Sequence, residues 1–190
     1  MDPNSALERL LEGNARLVSN QSQHCNQSEE IRRSLMGGQK PFAAILCCSD
    51  SRVPPELIFD QGFGDLFVIR VAGNVLSKVN LCSLEYAVGH LGVNLIMILG
   101  HQNCGAIKAS MENTEPIENN ELLLALEPAV QEAKKAGSDD LWDRAVRANL
   151  AHIEKLMLAG DHHIKSQIDS GQCRIVSAYY HLDSGRVDVL

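Results

Sequence analysis

Five side chains in two short stretches are better suited to chemistry than to packing. The first stretch, Cys48-Ser49-Asp50-Ser51-Arg52, follows the uncharged apolar run Phe42-Ala43-Ala44-Ile45-Leu46-Cys47. A thiol, a carboxylate and a guanidinium on alternate residues point to one side of an extended backbone. The second stretch, His101-Gln102-Asn103-Cys104, follows the apolar run Leu95-Ile96-Met97-Ile98-Leu99 and is bracketed by Gly100 and Gly105. The thiolates of Cys48 and Cys104 and the imidazole of His101 form a donor set that suits Zn2+. Cys47 belongs to the apolar run and reads as core, and no other Cys or His near either stretch completes a structural site, so three protein ligands would leave one coordination position open, as catalytic zinc requires.

These residues are positioned by what precedes them. A short apolar run without charges reads as a buried strand, and parallel strands end at one edge, where open α/β sheets bind ligands. Around the two runs, a helix is predicted over 5–18, capped by Asn4 or Ser5 and carrying the stripe Leu7, Leu10, Leu11 and Leu17. A second helix starts after Ser28 and ends at Gly37-Gly38, and Pro54-Pro55 leads into a short helical turn with Leu57, Ile58 and Phe59. Strands follow at 66–71 and 94–99, separated by a helix over about 77–91 with Leu81, Leu84, Tyr86 and Val88 partly buried. Cys104 opens a helix, and further helices cover 119–136 and 141–158, the latter capped by Asp139-Asp140. A strand over 174–180, the turn Asp183-Ser184-Gly185 and Val187-Asp188-Val189 form a hairpin. The expected fold is α/β: one domain over 1–190, a mostly parallel central sheet flanked by helices, a C-terminal hairpin at the sheet edge, and an N-terminal helical arm over about 1–38.

Composition excludes several partners. Seventeen Lys and Arg against 24 Asp and Glu give a net charge of −7, with no basic run, which argues against nucleic acid or an anionic membrane surface. No apolar stretch has the length of a membrane span, and Met1-Asp2-Pro3-Asn4 has no secretory character, so a cytoplasmic protein is expected, or an organellar one already processed. Six cysteines without regular spacing suit a reducing compartment. Cys47 and Cys173 read as core, Cys82 as a helix residue, and Cys25 has no assigned role. His24, His90, His152, His162, His163 and His181 lack partners at metal-ligand spacing; His162-His163 beside Asp161 reads as a solvated helix end. Lys40 after Gly37-Gly38 and Gly62-Phe63-Gly64 both lack a full nucleotide-binding pattern.

Cys-x-Asp-x-Arg followed about fifty residues later by His-x-x-Cys resembles the β-class carbonic anhydrases. The stretches Phe67-Val68-Ile69-Arg70-Val71-Ala72-Gly73-Asn74, Ser83-Leu84-Glu85-Tyr86-Ala87 and Ala6-Leu7-Glu8-Arg9-Leu10-Leu11-Glu12-Gly13-Asn14 extend the resemblance over nearly the whole chain, most weakly across about 111–140. It implies reversible hydration of carbon dioxide to bicarbonate by zinc-bound hydroxide. Asp50 would orient that hydroxide and Arg52 would hold Asp50 ionised. By the same resemblance, Gln39, Phe67, Ala72, Tyr86 and Gly105 line the substrate pocket, part of which comes from a second subunit. A homodimer, or a larger assembly of dimers, is then the working unit. Carbonyl sulfide or carbon disulfide hydrolysis would use the same ligands. A non-catalytic zinc-stabilised binding module has no use for an acid beside an open metal position. Two thiolates nearly cancel the charge of the metal, so activity is expected to rise from neutral to mildly alkaline pH.

Relatives that bicarbonate shuts down bind that anion in a pocket of arginine, tyrosine and tryptophan. Arg70 and Tyr86 match the first two, but the tryptophan position, three residues before Cys48, is Ile45. Loss of an indole N–H to a charged acceptor is worth ~1.5–3 kcal/mol, roughly ten- to hundred-fold in affinity. Hydration measured against rising bicarbonate at fixed pH and ionic strength is therefore expected to show no cooperative loss of rate; a steep sigmoidal loss would contradict this.

Overall fold

The computed structural model describes residues 1–137, 140–159 and 163–190. The expected cap Asp139 and the pair Asp161-His162 lie outside the described residues. Five strands, β1 (Ala43–Cys47), β2 (Leu66–Arg70), β3 (Leu95–His101), β4 (Arg174–Tyr180) and β5 (Val187–Val189), form one sheet in the order β2-β1-β3-β4-β5. The first four are parallel, and β5 returns antiparallel beside β4 as the expected hairpin. Every residue of β1 and β3 is buried, which explains why neither run carries a charge. Cys47 pairs with Leu99, so the two central strands end nearly level and hand their polar continuations to one edge.

Alternation along these strands feeds two layers. Ile45, Cys47, Leu95, Met97 and Leu99 face Ala6 and Leu10 of α1 (Pro3–Val18) and Ile58 and Phe59 around the end of α3 (Pro55–Ile58). The short α2 (Glu29–Ser34) is capped by Ser28 as predicted and buries no residue. On the opposite side, Ala44, Leu46, Ile96 and Ile98 pack against α4 (Lys78–Gly89), α7 (Leu141–Ala159) and α8 (His163–Asp169). Between these come α5 (Gly105–Glu112) and α6 (Glu121–Lys135), which with the start of α7 form a third apolar cluster containing Cys48 and Cys104.

The structure departs from the sequence reading in four places. Asp2, rather than Asn4 or Ser5, caps α1: its carboxylate accepts both of their backbone N–H groups, and Pro3 opens the helix with no N–H to satisfy. Strand β3 continues to His101 because Gly100 and His101 keep pairing with Tyr179 and Tyr180. Tyr86 is 46% exposed on α4 rather than partly buried. Finally, α8 is an additional helix, attached through Ile164, its one fully buried residue.

From the apolar stripe of α1, Leu10 is buried in the core of its own chain and Leu7 packs against it, while Leu11 and Leu17 stay partly buried. Gly13 lies so close to α3 that a Cβ there would stand 1.8 Å from the Phe59 carbonyl oxygen. Beside it the buried Asn14 donates to the carbonyls of Ile58 (3.1 Å) and Gly185 (2.8 Å) and accepts from the Val187 N–H (2.9 Å). One amide thus ties α1 to α3 and to the hairpin. Asn14→Ala is expected to lower unfolding free energy by about 2–4 kcal/mol, because buried groups are left unpaired. Urea denaturation would show this as a lower midpoint at unchanged slope; a shift worth under about 1 kcal/mol would contradict it.

Candidate metal centre and acid–base pair

The end of β1 and the end of β3 deliver the candidate ligands. Beyond β1 the chain stays aligned with the strand beside it, Val71 N–H donating to Cys47 and Ser49 N–H to Val71, and this fixes Cys48. His101 is the last residue of β3; Asn103 turns the chain with φ of 56°, and Cys104 stands at the N-cap of α5. One ligand atom from each of Cys48, His101 and Cys104 lies within 4.8 Å of the others, and all three residues are buried. His101 Nδ1 donates to the Gln102 carbonyl at 2.9 Å; a carbonyl only accepts, so the lone pair sits on Nε2. That Nε2 is buried with no hydrogen-bond partner among the described residues. A buried lone pair without a donor, grouped with two sulfurs, fits a bound divalent metal.

The Cys48 thiol is pulled below the ordinary thiol range, chiefly by the adjoining Cys104 side chain and also by the Gly73 N–H, which donates to its Sγ at 3.3 Å. Cys104 is correspondingly pushed above that range, by the adjoining Cys48 sulfur and by burial.

Asp50 and Arg52 form a bidentate pair, Nη2 to Oδ2 at 2.7 Å and Nε to Oδ1 at 3.0 Å, while the Arg52 N–H also donates to Oδ1 at 2.9 Å. The Arg52 guanidinium is the main reason the Asp50 carboxyl is held down at about 2. Asp50 Oδ2 stands 4.0 Å from His101 Nε2, so the carboxylate borders the metal group. A second guanidinium holds the backbone: Arg70 donates to the carbonyls of Cys48 (3.1 Å) and Asp50 (2.5 Å). Sequence reasoning missed this role for Arg70. The available signal was its place at the end of β2, where it pairs with Cys47.

The residues assigned to a substrate pocket do not gather around this group in the same way. Gln39 is exposed in the turn before β1, and Phe67 is half-buried on β2. The Tyr86 ring lies 6.2 Å from Phe67 and stacks on His90 at 5.1 Å. No hydrogen bond or ring contact joins these three to the metal group among the described residues. Ala72 lines an apolar groove of about 660 Å³ with Val71, Val75, Leu76, Leu122 and Ala125. Gly105 opens α5, with open space where a Cβ would stand.

The anion-pocket positions also separate. Ala44 pairs with Phe67, so Ile45 points to the opposite sheet face, fully buried. The tyrosine sharing its cluster is Tyr180, not Tyr86, and Arg70 is occupied by the Cys48–Asp50 backbone. Cys47 and Cys173 are core residues as expected, their thiols pushed by burial up to about 12 and about 11. Cys25 and Cys82 are exposed, and among the described residues no further group of three ligands forms.

The carbonic anhydrase family model matches residues 43–187, which includes both polar stretches. The chain belongs to the β-class carbonic anhydrases. It is 39% identical to carbonic anhydrase 2 of Mycobacterium tuberculosis, over 97% of this chain and 91% of that protein. To a carbonic anhydrase of Mycolicibacterium smegmatis it is 37% identical, over 99% and 93%. Among solved structures, the β-carbonic anhydrase CcaA superposes with a TM-score of 0.75 at 28% identity, over 96% of this chain and 94% of that one. Tetrameric β-carbonic anhydrases of Sordaria macrospora give 0.74 at 25% identity, over 98% and 97%. The enzyme is thus a carbonate dehydratase by family, on a fold those structures share.

Cys104→Ala removes one of the two sulfurs from the group. Elemental analysis of the purified variant is expected to show loss of bound divalent metal, with hydration activity lost in step. One tightly held metal per chain in Cys104→Ala would remove Cys104 from the ligand set.

Proposed function

We propose that the enzyme hydrates carbon dioxide reversibly with zinc held by Cys48, His101 and Cys104, and that Asp50 and Arg52 act as its acid–base pair. The observation that carries this reading is the bidentate Asp50–Arg52 pair 4.0 Å from the ligand His101. Zinc in such a site supplies a Lewis acid that makes hydroxide available near neutral pH. The residues of the chain do the rest. Asp50 accepts a hydrogen bond from the attacking water and directs its free lone pair toward carbon. Arg52 fixes the carboxylate plane and keeps it ionised, while Arg70 holds the backbone on which Cys48 and Asp50 ride. With its pKa depressed to about 2, Asp50 is an anion at every pH where the enzyme would work.

Gln39, Phe67, Ala72, Tyr86 and Gly105 are read as the substrate pocket, completed when a second copy docks. Exposure of Val79 (74%) and Tyr86 (46%), together with the apolar groove at Ala72, supports such docking. The relative described as tetrameric supports an assembly built from this unit. We read the chain as one domain and as cytoplasmic: among the described residues no helix is long and apolar enough to cross a membrane, and no disulfide is formed.

Asp50→Asn tests the pair. The amide keeps the shape but cannot act as an anionic acceptor, and the alkaline plateau of kcat is expected to fall at least about 100-fold at full metal occupancy. The sign of the pH effect follows from the depressed carboxyl: Asp50 is already ionised above about 2, so it does not set the loss of rate between alkaline and neutral pH. That inflection belongs to the activated water and should persist in the variant. A near-normal plateau in metal-loaded Asp50→Asn would exclude the aspartate from the mechanism.

A further inference from the structure

Behind the two sulfurs, the same face of α7 makes two polar contacts that packing does not require. Trp142 and Asn149 are seven residues apart, two helical turns, and project the same way. The Trp142 indole N–H donates to the Cys104 carbonyl at 2.9 Å. That carbonyl also accepts the Lys108 N–H, so both of its lone pairs are used and the N-cap of α5 is pinned from two directions. Asn149 is buried and donates through Nδ2 to the Gly73 carbonyl at 3.0 Å. Gly73 in turn gives its N–H to Cys48 Sγ. It does so from a left-handed turn, φ of 64°, where an added Cβ would press on Leu126 and Ala106 at 3.2–3.3 Å. Anchoring the Gly73 carbonyl fixes this turn and with it the direction of the N–H.

The Asn149 contact has a cost. Its Oδ1 is buried with no partner among the described residues, and a leucine would fill similar space without that penalty. Ala145 and Val146, between the two polar residues on α7, pack into the apolar cluster that contains Cys48 and Cys104.

We infer that α7 is the positioning element for both thiolate ligands, Trp142 acting through the Cys104 backbone and Asn149 through the Gly73 N–H. The inference rests on the reading of Cys48, His101 and Cys104 as zinc ligands. Neither residue touches the reacting atoms; each sets a sulfur's direction and, for Cys48, its electron density through the N–H bond.

The test measures zinc affinity by chelator competition in the wild-type chain, Trp142→Phe and Asn149→Leu, and the sulfur-to-metal charge-transfer band after cobalt substitution. Outer hydrogen bonds of this kind are typically worth 10–100-fold in metal affinity. Trp142→Phe keeps the ring and loses only the donor, and is expected to bind zinc about tenfold more weakly. Asn149→Leu is expected to lose about 10–100-fold and to shift the band to longer wavelength, because Cys48 Sγ no longer holds a fixed N–H. A merely structural role would lower the melting temperature and leave the band in place. Wild-type zinc affinity in both variants with an unshifted band would overturn the inference alone. If Asn149→Leu fails to fold, Trp142→Phe decides, and wild-type affinity there overturns it. Failure of the wild-type chain to bind zinc would overturn the metal reading and this inference with it.

Discussion

The parallel ladder between β1 and β3 is the constraint on which everything else depends. Pairing of Ala44 with Ile96 through Cys47 with Leu99 brings two segments about fifty residues apart to one edge at the same height. A slip of one residue would turn every side chain of one strand to the other face and carry Cys48 away from His101 and Cys104. The register is held by burial on both faces, since every residue of β1 and β3 is packed against helices. The geometry of the candidate site thus follows from the two fully buried strands, and short segments beyond their ends carry its side chains.

Charge organisation at this edge follows from the same placement. Two sulfurs and an imidazole gathered in a buried setting are a donor set suited to a divalent cation. The two guanidiniums divide the work around them. Arg52 neutralises and orients the carboxylate of Asp50, whereas Arg70, from the end of β2, fixes the carbonyls on either side of Ser49. Asp50 is consequently an ionised acceptor in a defined plane, 4.0 Å from the His101 Nε2.

Much of this was legible in the sequence, for identifiable reasons. The central strands stood out because each is a charge-free run of strand length followed at once by chemically unusual residues, and the ligand types then limited the metal. Other features depend on relations that spacing does not express. The Asn149–Gly73 contact joins residues 76 positions apart through a left-handed turn. The helix α8 escaped because seven residues whose apolar content is only Ile164 and Ile168, four apart, are too short for a period to stand out. Motif matching placed Tyr86 beside Ile45, and strand alternation put them on opposite sides of the sheet, a distinction that requires the register between β1 and β2. The stripe of α1 reads most simply as packing on its own core, but spacing does not say against which elements. Asn14 and Gly13 supply that through their contacts with α3 and the hairpin.

The most direct measurement of the central claim is the X-ray absorption spectrum at the zinc edge of active enzyme near neutral pH. Expected is a shell of two sulfurs at about 2.3 Å, from Cys48 and Cys104, and two lighter atoms at about 2.0–2.1 Å, one from His101 and one from solvent or substrate. A shell with fewer than two sulfurs, or one closed by a third sulfur, would contradict it.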